Sequence, residues 1–325
     1  MKKITIKKFV YAALPLALIT MFSACGGFGQ AEQVELDLAT APVGGAYYII
    51  GAAIAEVLTD NIPNLTVNSI VAQGSGGNPH MLGRGEVGLA MTNYTSAWNA
   101  FHSVGPFHAS GRVQLAGIVN LQYSILQFLV LADSGIYSVA DLRGRRVNIG
   151  PAAGGGAVLF NLLLPFWGLS PADMIIYNIS PAEGSEWLRD GRLDVNVPHG
   201  ALPLPAVSSL ANSQEIRLLE LEENILRQVM QGNPYYDIAY IPAGIYRGIN
   251  RPVRSVGSQD ILIVRQDMDE ELAYQITRTI YESMGVLRGS HPSLSGMTFD
   301  GFMHSLVRLH PGALRFYRGR GIPLE

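Results

Sequence analysis

Three glycine-rich stretches, each set between a short β-branched run and a helical one, constrain this chain more than any other feature. They are Thr40-Ala41-Pro42-Val43-Gly44-Gly45-Ala46-Tyr47-Tyr48, Ala72-Gln73-Gly74-Ser75-Gly76-Gly77-Asn78 and Gly150-Pro151-Ala152-Ala153-Gly154-Gly155-Gly156-Ala157. Tight strand-to-helix turns demand glycine whether or not anything binds. The same turns expose unpaired N–H groups at a helix start, where the helix dipole favours negative charge. In an open α/β sheet they lie at the carboxyl ends of strands, where ligands collect. Three of them in sequence-distant places favour a binding role.

The surrounding pattern alternates strands and helices, which predicts α/β layers around mostly parallel sheets. Strands are expected at 34–39, 66–72, 87–91, 113–119, 125–131, 146–149, 174–178, 193–197 and 261–265. Helices are expected at 46–60, 79–83, after Tyr94, and at 157–167, 182–190, 270–287 and 299–309. The 325 residues suffice for about two units with cores of their own. Leu82-Gly83-Arg84-Gly85-Glu86-Val87 and Leu188-Arg189-Asp190-Gly191-Arg192-Leu193 each place leucine three residues before a helix-ending glycine that leads into a strand. The echo favours a duplicated α/β plan.

Charge excludes several functions. The chain has 23 basic and 26 acidic residues, and all four lysines (Lys2, Lys3, Lys7, Lys8) stand in the first eight positions. The remainder carries 19 arginines against 26 acids, a net charge of −7. No Schiff base, lysine-dependent phosphate loop or lysine general base is available beyond residue 8, and no polybasic stretch suits nucleic acid. The single cysteine, Cys25, permits neither an internal disulfide nor a thiolate metal cluster.

The lysines precede an apolar run at 9–24, shorter than the ~20 residues that span a bilayer, so residues 1–25 read as a secretory signal. Ser23-Ala24-Cys25-Gly26-Gly27 resembles the cleavage box of bacterial lipoproteins, which makes Cys25 the expected lipidation site. Phe22 departs from the leucine usual in that box, and an uncleaved signal anchor is the alternative. Either way the chain works outside the cytoplasm, and 26–33 reads as a tether.

Candidate binding residues cluster at strand ends: Thr40, Gly45, Ala46, Tyr47 and Tyr48 in the first turn, Ser75 and Asn78 in the second, Gly154, Gly155, Gly156 and Ala157 in the third, with Thr92, Asn93 and His199 beyond other strands. Of Tyr47 and Tyr48, about 100° apart on a helix, one can cap a cleft while the other packs. Ser75 is either a ligand donor or a plain N-cap.

Support for catalysis is thin. The seven histidines show no i, i+4 pair and no H-E-x-x-H, so neither a metal nor a cofactor is expected. Ser75 lacks the G-x-S-x-G elbow, because Gln73 replaces its first glycine. An enzyme using Ser75 or His199 stays open as an alternative. Gly83-Arg84-Gly85-Glu86-Val87-Gly88 matches the dinucleotide fingerprint, but a helix precedes it and a strand follows, the reverse of what pyrophosphate binding needs.

Gly44-Gly45-Ala46-Tyr47-Tyr48-Ile49-Ile50-Gly51, Gly74-Ser75-Gly76-Gly77-Asn78, Asp141-Leu142-Arg143-Gly144-Arg145 and Leu309-His310-Pro311-Gly312-Ala313 resemble the TAXI family of solute-binding proteins, which serve tripartite ATP-independent periplasmic (TRAP) transporters. The resemblance runs from about residue 34 to the C-terminus. It implies a two-lobed, type II periplasmic-binding-protein-like α/β fold with a central ligand cleft. Lobe one would be 34–130 plus 258–325 and lobe two 131–257, with crossing strands near 125–131 and 255–265. It also implies a small carboxylate ligand, such as a dicarboxylate, glutamate or glutamine, and a TRAP permease as partner, while the lipid expected at Cys25 would attach the chain to the membrane. Two departures stand out. Gly154-Gly155-Gly156 lack the hydroxyls usual in that loop. Leu121-Gln122-Tyr123-Ser124 lacks a glutamate frequent in relatives, so an acidic partner for a ligand ammonium is expected to be missing. The expected ligand is then a carboxylate without an ammonium group, or an unusual ligand. A lipoprotein sensor is the third reading.

Overall fold

The computed structural model describes residues 33–324, apart from Gly44, Ala153 and Gly296. The expected signal, Cys25 and all of the tether but Gln33 lie outside these residues. Among the described residues no helix is long and apolar enough to cross a membrane.

Among the described residues twelve strands form two sheets: β1 (Val34–Ala39), β2 (Leu65–Ile70), β3 (Leu89–Asn93), β4 (Leu115–Leu126), β5 (Leu129–Leu131), β6 (Arg146–Asn148), β7 (Ile175–Tyr177), β8 (Val195–Asn196), β9 (His199–Ala201), β10 (Ile216–Leu218), β11 (Asp237–Ile241) and β12 (Val253–Arg265). The ten helices are α1 (Ala46–Asn61), α2 (Asn78–Gly83), α3 (Tyr94–His102), α4 (Gly155–Leu163), α5 (Pro181–Arg189), α6 (Pro205–Ser213), α7 (Glu223–Gln231), α8 (Glu270–Glu282), α9 (Met284–Ser290) and α10 (Pro311–Arg320).

The first sheet runs β2-β1-β3-β12-β4-β9, with β11 also on β12, and the second runs β10-β5-β8-β6-β7. The two share one plan. In the first, β1 pairs parallel with β2 and β3, and antiparallel β12 follows β3. In the second, β6 pairs parallel with β7 and β8, and antiparallel β5 follows β8. The sequence echo falls on equivalent places, since Gly85 precedes β3 and Gly191 precedes β8. Both glycines have positive φ, +72° and +69°. Each takes the left-handed turn that ends its helix, with the Gly85 N–H on the Leu82 carbonyl (3.1 Å) and the Gly191 N–H on Leu188 (3.2 Å).

Interior strands are covered on both faces: all five residues of β3 are buried, and so are eleven of the twelve in β4. α1 turns Ile50, Ile54 and Leu58 inward at helical spacing against Leu38 and Met91. The second sheet buries Val147, Phe160 and Val195 in a core of its own.

β4 and β12 pair antiparallel from Leu115↔Arg265 to Ile125↔Gly257, with irregularities near Gln259 and Leu262. The ribbon carries the chain out of the first sheet and back. The expected strands at 113–119 and 125–131 are one continuous β4 followed by short β5, because no breaker stands between them. The expected helix at 299–309 is absent. Gly301 (φ +71°) breaks that stretch, while Phe299 and Phe302 pack against Tyr317 as single aromatic plugs. The periodic helix there is α10 instead.

Candidate functional site

All three glycine turns border one cavity. Its wall includes Pro42, Gly45, Ala46 and Tyr47 from the first, Gln73, Gly74 and Ser75 from the second, and Gly150, Pro151, Gly154, Gly155 and Gly156 from the third, completed by Ser124, Asn148 and His199. About 80 Å³ is open to the centres of water-sized atoms. That is several times the ~10–15 Å³ one water needs, enough for a compact ligand.

α1 and α4 both begin at this cavity. Their N-caps are Gly45 and Gly154, neither of which supplies a side-chain cap, and no acid occupies either first turn. The positive ends of both dipoles are therefore left for whatever enters. Among the described residues the one titratable side chain with a shifted pKa that borders the cavity, besides Tyr47, is the His199 imidazole, whose pKa burial pushes down to about 4. At neutral pH that ring is uncharged, and its buried Nε2 has no partner among the described residues.

Ser75 bridges the two sheets. Its Oγ accepts from the Gly155 N–H (3.2 Å), and the Asn93 amide approaches it at 3.4 Å. Its own proton goes to no acceptor among the described residues, so the hydroxyl is free to donate inward. Thr92 Oγ1 donates to the Ser75 carbonyl (2.6 Å), and Asn93 caps α3 by accepting from the Ser96 N–H (2.8 Å).

Six of the residues expected to line the site do not. Thr92 and Asn93 are buried behind Ser75 and hold it. Asn78 is fully buried, its amide donating to the carbonyls of Ala39 (3.1 Å), Thr40 (2.7 Å) and Met91 (2.8 Å), so it ties the ends of β1 and β3 together. The Thr40 hydroxyl is spent on the Ile70 carbonyl at 2.7 Å. Tyr48 is 40% exposed on the outer face of α1, since its neighbour Tyr47 takes the inward position. The Ala157 side chain packs into the second core. Gly45, Ala46, Tyr47, Ser75, Gly154, Gly155, Gly156 and His199 do border the cavity.

Sequence reasoning missed Asn148, Ser124 and Asp260. Asn148 Oδ1 accepts from the N–H groups of Gly150 and Ile179 (both 3.1 Å), shaping the third turn. Asp260, fully buried on β12, receives the Ser124 hydroxyl proton and the Gln122 amide (2.9 Å) on Oδ2, and the Tyr47 phenol faces the same carboxyl. Asp260 stands behind the wall and does not itself border the cavity, so it reaches a ligand only through Ser124 and Tyr47.

Burial raises the Asp260 pKa to about 7, against the hydrogen bonds from Ser124, Tyr47 and Gln122 that lower it. The folded state then holds a proton that the unfolded chain releases near pH 4, so this group withdraws stability as pH rises from about 4 to about 7. Depressed His199 acts oppositely between about 4 and 6.5, so the two slopes offset each other. In Asp260→Asn the offset disappears. Urea unfolding at several pH values should show the variant gaining on the wild type as pH rises across that window, by roughly 2–4 kcal/mol. A difference independent of pH would contradict the assignment.

The NMT1-like family model matches residues 38–321. This chain belongs to the NMT1-like family. Solved structures share the fold of this NMT1-like chain. The alkanesulfonate-binding protein SsuA of Xanthomonas axonopodis pv. citri, bound to MOPS, aligns over 90% of this chain and 96% of its own at 15% identity, TM-score 0.51. A Listeria monocytogenes protein described as an L-cystine ABC transporter aligns over 79% and 93% at 12% identity, TM-score 0.50. A Xanthomonas citri protein bound to ATP aligns over 87% and 98% at 15% identity, TM-score 0.50. The NMT1-like chain thus has a periplasmic-binding-protein type II-like fold, one that houses chemically different ligands in different proteins.

Proposed function

We propose that this NMT1-like chain is an extracytoplasmic solute-binding protein that captures a small carboxylate between its lobes and hands it to a membrane permease. The observation that carries this reading is the pair of uncapped helix starts, one from each sheet, meeting the free Ser75 hydroxyl around a cavity without charged walls among the described residues. A mature charge of −7 repels anions at long range, so affinity would rest on these local dipoles and buried hydrogen bonds. The lobes are taken as 34–130 plus 258–325 and 131–257, closing about the β4/β12 ribbon.

The motifs shared with TAXI proteins favour a TRAP permease as partner, with a lipid at Cys25 holding the protein on the membrane. ABC transport is the competing assignment, as one protein of the same fold is described as belonging to an ABC transporter. Co-purification with the permease from native membranes separates the two.

Mass spectrometry of molecules released on unfolding, followed by calorimetric titration with matching carboxylates, tests the central claim. Ser75→Ala removes an inward donor and should weaken binding about tenfold while the protein still folds. Unaltered titration would move the ligand elsewhere. Accumulating product would instead favour an enzyme.

A further inference from the structure

The cavity wall has two hydrogen-bonding polarities. A hydroxyl carries one proton and two lone pairs, so the group that takes its proton decides what it shows a ligand. At Ser75 the oxygen is occupied by the Gly155 N–H, and the proton is left for the cavity. First-turn N–H groups of α1 and α4 add to that donor side. At Ser124 the reverse holds: the proton goes to Asp260 Oδ2, and only lone pairs remain to face inward. Tyr47, also on the wall, has its phenol turned toward the same carboxyl, which together with burial keeps the proton on the phenol.

Asp260 is placed to enforce this. Its strand pairs with β3 on one side and β4 on the other, at Asn93 and beside Ser124. It forms no ion pair among the described residues, and its Oδ1 is buried without a hydrogen-bond partner. A lone buried carboxyl is costly unless it serves donors. The donors it serves include two cavity hydroxyls.

We infer that Asp260 is a specificity-determining positioning residue: by drawing the protons of Ser124 and Tyr47 away from the cavity, it makes that wall an acceptor surface that admits a ligand bearing an O–H or N–H and rejects one presenting a carbonyl there. This inference rests on the carboxylate reading of the cavity. It adds a requirement that the carboxylate reading alone does not contain, a donor on the ligand away from its anionic group.

Matched probes of equal charge and nearly equal size test it: lactate against pyruvate, and α-hydroxyglutarate against α-ketoglutarate. The wild type should bind the hydroxy acid of at least one pair about tenfold or more tighter than its keto partner. In Asp260→Asn, the amide NH₂ donates to one hydroxyl and releases that proton into the cavity, so the preference should shrink to about twofold or less. Ser124→Ala, which removes one donor from the carboxyl but leaves the acid itself in place, should lower the same ratio.

The wild-type pH profile needs no variant. Ionised Asp260 draws both protons strongly, whereas the protonated acid is a weaker acceptor at the oxygen they reach, so the hydroxy-to-keto preference should grow between about pH 5.5 and about pH 8.5, centred near 7. The titratable groups facing Asp260 are Tyr47 from α1 and Tyr123 from β4, both with raised pKa, and they stay neutral throughout. His199, at about 4, is already neutral across the window. Equal affinity for both members of a pair, a flat profile, or equal loss for both in Asp260→Asn would overturn the role of Asp260 while leaving the carboxylate reading intact. If no probe of either series binds the wild type and the released ligand is no carboxylate, that reading falls and takes the inference with it.

Discussion

Gly155→Ala yields a folded protein that no longer closes on its ligand. The added methyl would lie 2.4 Å from Ser75 Oγ and 2.6 Å from Asn93 Nδ2. Neither neighbour can retreat at low cost. The Ser75 backbone is held by Thr92 Oγ1, and Asn93 is committed to capping α3. An overlap of this depth costs about 3 kcal/mol in the closed state and nothing with the lobes apart. At about 1.4 kcal/mol per decade, affinity should fall roughly a hundredfold. Alanine is also the better helix former, so melting should hold or rise. Small-angle scattering should give a larger radius for Gly155→Ala than for the wild type when each is mixed with the released ligand. Wild-type affinity in the variant would show that Gly155 and Ser75 are not where the lobes meet around the ligand.

The second large effect concerns stability. In Gly312→Ala the new methyl would stand 2.1 Å from the Glu270 carbonyl oxygen and 2.6 Å from the Tyr274 nitrogen, so α10 would be forced off α8. Both obstacles are backbone, and α10 is fixed at its start by His310 Nδ1, which accepts from the Gly312 N–H at 3.3 Å. We expect a loss of about 3–5 kcal/mol and a melting temperature lower by about 8–15 °C, read by calorimetry. A drop under about 2 °C would mean that the two helices do not approach backbone to backbone.

That prediction also bears on what the sequence conveys. The His310-Pro311-Gly312-Ala313 stretch does not border the cavity; its work is a cap, a proline in the first helical turn and a close helix crossing. In the first turn Gly45 and Tyr47 of the Gly44-Gly45-Ala46-Tyr47-Tyr48 stretch do reach the cavity, because strand-to-helix glycines and the helix start they cap are one local feature. Local features were readable. Alternating apolar runs gave β1, β2, α1, β6 and α5, and glycine spacing gave Ser75 and Gly155.

What depended on distant pairing was not readable. Asp260 is one acid in Gln259-Asp260-Ile261-Leu262, indistinguishable from an edge residue until β12 is seen between β3 and β4. Asn78 reads as a ligand donor in the sequence because its carbonyl partners, Ala39 in β1, Thr40 just after it and Met91 in β3, are distant in the chain. Residues 202–252 hold α6, β10, α7 and β11, of which β10 is too short, at three residues, to leave a periodic pattern.

The position of β12 has a consequence for biosynthesis. It fills the gap between β3 and β4 in the first sheet, but it follows every strand of the second in the chain. A polypeptide emerging amino end first can therefore complete the second sheet's β5, β6, β7, β8 and β10 while β3 and β4 still have unpaired inner edges. Until about residue 265 has appeared, those edges are open to wrong partners. Vectorial assembly thus runs in inverse order, inserted lobe before host lobe, and a chaperone meeting the nascent protein would find its sticky surface on the half made first.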